Sequence, residues 1–360
     1  MTRNILFKST LYMVLFFLTT GCGGGSKSSS PPGFSKPLDP PVNSNPIIYI
    51  AGDYLVNSEE QRGCYWKEKG LKELPGFDGV AKSVTVFNGT VYTAGMYWYG
   101  GRFIACFWKG QIVQRLETNT TSAAEAIVHS ADGTVYIVGT YYDSELSHHA
   151  SCYWKVTGET VERIKLPIAN GGSDTNIFAA AISGDTVYTL GRYWKDGHFN
   201  VCYWEGTKRF DLESIPEAYS IFVSGEDIYI GGWYNNIPCY WKNSERIGLN
   251  RDGANNGVVK SIVVSNGTVY CGGLIQDLSD KMVPCYWINK SRTDLTEDWT
   301  GITYGEVNSI AVDRSGMVYT AGYIGRTDCK IYPCYWKGIT RNDLSEYAGT
   351  SYSITIGYEM

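Results

Sequence analysis

Val91-Tyr92-Thr93-Ala94-Gly95, followed shortly by Ala105-Cys106-Phe107-Trp108-Lys109, is not unique in this chain. The same coupling of apolar-Tyr-x-x-Gly with Cys-aromatic-Trp recurs along its whole length. The first element begins at Ile48, Val91, Val135, Val187, Ile228, Val269 and Val318. The second begins at Cys64, Cys106, Cys152, Cys202, Cys239, Cys285 and Cys334. Seven units with a period of roughly 45 residues are the mark of a repeat architecture, in which one supersecondary module is copied and stacked.

Each unit reads as four short strands. The first alternates, as in Ser83-Val84-Thr85-Val86 and Ser261-Ile262-Val263-Val264, and ends at an Asn-Gly pair (Asn88-Gly89, Asn266-Gly267), a strong hairpin signal. Val-Tyr-x-x-Gly is the second strand and the Cys-aromatic-Trp run the third. A weaker fourth ends at Leu74, Leu116, Leu166, Leu212, Leu249, Leu295 and Leu344. No helical period appears. Four antiparallel strands per unit predict a blade, and the chain an all-β, seven-bladed β-propeller. The first unit starts at Ile47 without its first strand, and the chain ends in Ser353-Ile354-Thr355-Ile356, which matches a first strand. The C-terminal strand is therefore expected to complete the first blade and close the ring, removing an open sheet edge. Ser83, Ala126, Ala179, Ser220, Ser261, Ser309 and Ser353 share one small-residue position and are expected to line the central channel.

The repeat resembles kelch-type propellers in architecture, with the double glycine kept at Gly231-Gly232 and Gly272-Gly273. It is more similar to bacterial tandem-repeat propeller lipoproteins and secreted proteins built from Val-Tyr-x-Ala-Gly-x-Tyr and Ala-Cys-Tyr-Trp-Lys-x-Gly units. That resemblance covers residues 47–356 and implies a propeller, with no particular activity attached.

Residues 1–21 read as a lipoprotein signal peptide. Arg3 and Lys8 form a basic start, Leu11 to Leu18 is a short apolar run, and Thr19-Thr20-Gly21-Cys22 resembles a lipobox with Thr19 in place of the usual Leu. Cys22 is the expected lipidation site. Residues 22–46 are rich in Gly, Ser and Pro and read as a tether reaching roughly 25–30 Å. Residues 47–360 form the propeller. The expected location is exported and membrane-anchored, with outer membrane or cell surface favoured by Gly23 after the cysteine. Without residues 1–21, 29 basic residues face 36 acidic ones, a net charge of −7, which argues against nucleic acid as a partner.

Ten cysteines in an exported chain suggest disulfides, but seven share one blade position. Packed sheets lie about 10 Å apart, too far for bridging, so these read as small buried residues beside the Trp. Cys329 and Cys334 are the sole disulfide candidates. No metal-ligand spacing, nucleophile elbow or phosphate loop is found, and neither cofactor nor metal is expected.

Loops between second and third strands, with those joining blades, share the face where length and sequence vary most, so binding is sought there. Tyr54, Tyr97, Tyr141, Tyr193 and Tyr234 repeat and are assigned to blade packing. Trp98, Tyr99, Tyr142, Trp194, His198 and Trp233 are the binding candidates, since flat rings suit sugars and protein partners alike. His148-His149 with Asp143 and Glu145 reads as solvated loop. Asp143, Asp196, Asp277, Asp280 and Asp328 lie on the same face without a spacing that pairs any two. The favoured function is a non-catalytic binding or scaffold propeller for a protein or glycan at the cell envelope, its domain monomeric. The alternative is a polysaccharide-acting hydrolase or lyase with its site over the channel. Convergence of titratable groups from several blades distinguishes the second from the first.

Overall fold

The computed structural model describes residues 45–56, 60–212 and 215–358; the signal peptide, Cys22 and nearly all of the tether lie outside them. The described residues form 28 strands and no helix, grouped in seven four-stranded antiparallel sheets. Blade 1 orders β28 (Gly349–Tyr358), β1 (Pro46–Leu55), β2 (Gln61–Lys67) and β3 (Gly70–Glu73). Blade 2 runs β4 (Phe77–Phe87), β5 (Thr90–Tyr99), β6 (Arg102–Lys109) and β7 (Ile112–Arg115). Blades 3 to 7 repeat this order from the inner strands β8 (Ser122–His129), β12 (Ser173–Ser183), β16 (Glu217–Ser224), β20 (Asn256–Ser265) and β24 (Ile302–Val312). Closure is as expected: Ile354 pairs with Ile50 and Ile356 with Ile48.

The core lies between blades. Trp66, Trp108, Trp154, Trp204, Trp287 and Trp336 are fully buried, and Trp241 nearly so. Several of these indoles also tie a blade to the connection leaving the one before. Trp108 Nε1 donates to the Pro75 carbonyl at 2.8 Å, Trp204 Nε1 to that of Pro167 at 2.8 Å, and Trp287 Nε1 to that of Asn250 at 2.9 Å. A ring of this size removes about 150–250 Å² from water, so the Trp is the largest apolar contribution of its unit and, in blades 2, 4 and 6, also its alignment pin. The cysteine beside it is buried in every blade as a free thiol, and burial pushes each thiol up, away from the reactive thiolate. Cys329 is exposed and Cys334 buried, both free, so the candidate bridge is not formed.

Each inner strand carries one extra residue opposite the repeat glycine of the second strand. These bulge residues are Lys82, Glu125, Phe178, Tyr219, Lys260, Asn308 and Tyr352. The bulge explains the glycine. A Cβ on Gly95 would sit 1.9 Å from the Val80 carbonyl oxygen, and one on Gly322 would sit 1.9 Å from that of Glu306. It also corrects the channel lining. The small residues, Ser83, Ala126, Ala179, Ser220, Ser261, Ser309 and Ser353, come directly after the bulge and are buried against the next blade. Ser83 Oγ accepts from Ile127 N–H at 3.1 Å, Ser261 Oγ from Ile310 N–H at 3.1 Å, and Ser309 Oγ from Ile354 N–H at 2.9 Å. An inner strand is a sheet edge with unpaired donors, and the preceding blade's serine satisfies one of them.

Candidate functional site

With the small residues turned between blades, several bulge side chains of adjoining blades meet one another, while Phe178 is fully buried in the core. On blades 1 to 3 they form a mixed cluster. The Lys82 ammonium lies 4.3 Å from the centre of the Tyr352 ring. Tyr352 donates its hydroxyl to Asp53, which also accepts from Gln61 Nε2 at 2.7 Å. Asp53 is 3% exposed, and its Oδ1 has no hydrogen-bond partner among the described residues. Burial raises the Asp53 carboxyl above its usual range, with the Tyr352 and Gln61 hydrogen bonds and the Lys82 charge pulling the other way. Glu125, half-buried on blade 3, is likewise raised by burial and partly offset by Lys82. Burial and the neighbouring Asp53 charge hold the Tyr352 phenol well above its ordinary value.

A second cluster runs from blade 4 to blade 7. Arg192 Nη1 lies 3.7 Å from Glu217 Oε1, and Tyr219 donates to Glu217 while accepting from Trp233. Lys260 sits 4.6 Å from the Tyr219 ring centre and forms an ion pair with Glu306 Oε1 at 3.1 Å. Tyr323 donates to Glu306 Oε2 at 2.8 Å. Burial pushes the Tyr219 phenol up to about 12 and also raises that of Tyr323, with Glu217 and Glu306 adding to the respective shifts. Asn308 Nδ2 donates to the Ser351 carbonyl at 2.9 Å and joins blade 7 to blade 1. The two clusters thus run from blade 4 through blade 7 to blade 1, and on through Lys82 to Glu125.

The sequence-chosen candidates fall elsewhere, with one exception. Tyr99, Tyr142 and Trp194 stand at the strand 2–3 hairpins of blades 2, 3 and 4, with 45%, 39% and 40% of their surface exposed. Each is held by a neighbour. The Arg115 guanidinium lies 4.1 Å over Tyr99, His149 meets Tyr142 edge-on at 5.6 Å, and Phe199 meets Trp194 edge-on at 5.0 Å. Trp98 is half-buried, edge-on to Phe103 at 5.1 Å. His198 is exposed, its Nδ1 3.3 Å from the Asp196 carbonyl. Trp233 is the exception: it directly follows the repeat glycine within its strand and reaches the channel wall through Tyr219.

His148 and His149 belong to a strand, paired with Asp143 and Tyr142, rather than to a loop. Among the described residues no group of three or more His, Cys, Asp or Glu is arranged to hold a metal ion. Sequence reasoning missed the bulge residues altogether. The available signal was positional: the residue before the small inner-strand position is polar or aromatic in all seven units.

No protein-family model matches the chain, and no curated protein matches it in sequence. Solved structures do resemble it. The acylaminoacyl peptidase of Pyrococcus horikoshii aligns with a TM-score of 0.53 at 14% identity, over 86% of this chain and 52% of that one. The chain therefore spans about half the length of that peptidase. The β-propeller domain of the Trilobed protease from Pyrococcus furiosus aligns with a TM-score of 0.51 at 12% identity, over 84% of this chain and 92% of that one. At such identities the likeness concerns the fold alone: this chain is a seven-bladed β-propeller, closed by its C-terminal strand.

Proposed function

We propose that the protein is an exported propeller, held at the bacterial cell envelope by a lipid on Cys22, that binds a protein or glycan partner on the face of its strand 2–3 hairpins without turning it over. The leader, the Gly21-Cys22 junction and the Gly/Ser/Pro tether support the anchoring. The binding part is carried by one observation: Tyr99, Tyr142 and Trp194 stand exposed on three adjoining blades, each fixed by a ring or guanidinium contact. Aromatic side chains already held in place lose little freedom on binding and offer large contact area. A monomeric domain is consistent with the outer strands, most of them four residues long and rich in charge, which makes them poor edges for pairing.

A polysaccharide-acting enzyme is the second reading. The convergence of Asp53, Lys82, Glu125 and Tyr352 from three blades favours it. Against it, Asp53 is buried and already accepts two hydrogen bonds, which leaves half-buried Glu125 as the more exposed carboxylate of that cluster. Glycoside hydrolysis ordinarily needs two carboxyl groups flanking the scissile bond.

The test is a binding screen of the full chain against a glycan array and a panel of purified envelope proteins, beside a variant with Tyr99, Tyr142 and Trp194 changed to Ala. We expect the variant to bind at least about tenfold more weakly while melting as the wild type does. If nothing binds and polysaccharide acquires new chain ends, the enzyme reading replaces this one.

A further inference from the structure

We infer that the gap between blades 3 and 4 is a pocket for a tyrosine side chain of a partner protein, with Ser151 at its floor. This deepens the binding reading above and rests on it for a partner at the hairpin face. The pocket has a volume of about 300 Å³. Its walls are apolar: Leu146 and Ala150 from blade 3, and Leu166, Pro167 and Ile168 from the connection to blade 4. That connection is held in place, since Trp204 Nε1 donates to the Pro167 carbonyl at 2.8 Å. Leu146 stands 46% exposed at the mouth, whereas Ser151 and Thr175 are buried at the inner end.

Other blades close the same gap. Pro238 and Pro284 hold the place of Ser151 in blades 5 and 6, directly before the repeat cysteine. Each packs onto the next inner strand: a Cβ on Gly257 would sit 2.9 Å from Pro238 Cγ, and one on Gly305 would sit 3.1 Å from Pro284 Cγ. Thr175 holds the place of these glycines on blade 4, and the small Ser151 leaves space open before it.

The polar atoms decide the occupant. Lys165 Nζ is bound to Asp143 at 2.8 Å, Thr175 Oγ1 donates to the His149 carbonyl at 3.3 Å, and the Ser151 carbonyl accepts from Leu166 N–H at 2.9 Å. Ser151 Oγ is buried and has no hydrogen-bond partner among the described residues. A saccharide would bring several hydroxyl groups against apolar walls and leave most of them unpaired. A tyrosine brings one flat ring to the walls and one hydroxyl, at its far end, to the floor. An apolar cavity of about 150 Å³ accepts benzene, so about 300 Å³ is room for a phenol ring on its stem. The chain that delivers it would continue over Leu146 and Tyr142, both exposed on the same hairpin. Tyrosine is among the side chains that anchor protein interfaces in such desolvated pockets.

The full chain would be titrated with acetyl-Gly-Tyr-Gly-amide, its Phe counterpart and 4-methylphenol, beside Ser151→Ala and Ser151→Pro. We expect wild type to bind the Tyr peptide with a Kd of about 1 mM, roughly fivefold tighter than the Phe peptide. Ser151→Ala should erase that preference while melting no lower than wild type, because the hydroxyl it removes is unpaired in the free protein. Ser151→Pro, which fills the gap as blades 5 and 6 do, should abolish binding; if thermal melting shows it misfolded, Ser151→Ala decides. No binding of the Tyr peptide, equal binding of the two peptides, or binding kept in a folded Ser151→Pro overturns the inference. So does 4-methylphenol bound where the Tyr peptide is not, which marks a small-molecule pocket. A partner from the screen above that Ser151→Pro binds as wild type does sinks this inference and leaves the rim reading standing. Tyr peptide binding kept in the Tyr99/Tyr142/Trp194 variant and lost in Ser151→Pro supports the pocket independently of the rim.

Discussion

Asp53 and Asp143 have the same side chain and opposite electrostatics. Asp143 meets Lys165 Nζ at 2.8 Å, and that hydrogen bond lowers its carboxyl to about 2. Its stabilising contribution is present above the ordinary value of 3.8 and lost as pH falls through 2. Asp53, buried behind the channel wall, is raised instead, so its contribution is present below 3.8 and lost as pH rises through the raised value. Asn at this position does not titrate. The stability difference between wild type and Asp53→Asn should therefore shift in favour of the variant as pH rises from acid to neutral. Urea midpoints at several pH values measure this, and a flat or inverted trend would show that burial does not dominate at Asp53. None of this was visible in the sequence, where Asp53 is one more polar residue after a repeat glycine.

The inner strand with its bulge is the element on which the site depends. Its alternation was readable from Ser83-Val84-Thr85-Val86, because side chains on a strand alternate with a period of two. The extra residue was not, since a bulge shifts pairing without leaving a turn residue or a break in hydrophobicity. The repeat glycine records it indirectly: only a residue without Cβ admits the carbonyl that the bulge turns inward. Gly95→Ala places a methyl group 1.9 Å from the Val80 oxygen, where backbone must move. We expect a loss of about 3 kcal/mol or more in chemical denaturation. A loss below about 1 kcal/mol would mean that the bulge relaxes freely and does not fix Lys82 in place.

At the scale of the molecule, closure holds the ring. β28 supplies the inner strand of blade 1, buries Ile354 against Ile50, and carries Tyr352 to Lys82 and Asp53. Removing residues 349–360 would expose the edge of β1 and both neighbouring blade interfaces. We expect the shortened chain to lose its single cooperative unfolding transition and to aggregate, read by circular dichroism and light scattering. A sharp transition at the wild-type temperature would show that six blades and three strands suffice.

Blade number, strand content, ring closure, the buried tryptophans and the inert cysteines were all legible in the sequence. Each depends on a pattern repeated within one unit, and seven copies make a weak local signal plain. The exposed hairpin aromatics were legible too, as departures from that pattern. Which side chains of neighbouring inner strands meet was decided only by the tertiary structure. Lys82, Glu125 and Tyr352 come together because each holds the bulge position of its inner strand and because distant parts of the chain bring their blades side by side. The bulge leaves only an indirect trace in the sequence, through the repeat glycine and the polar or aromatic residue before the small position, and the meeting of blades leaves none.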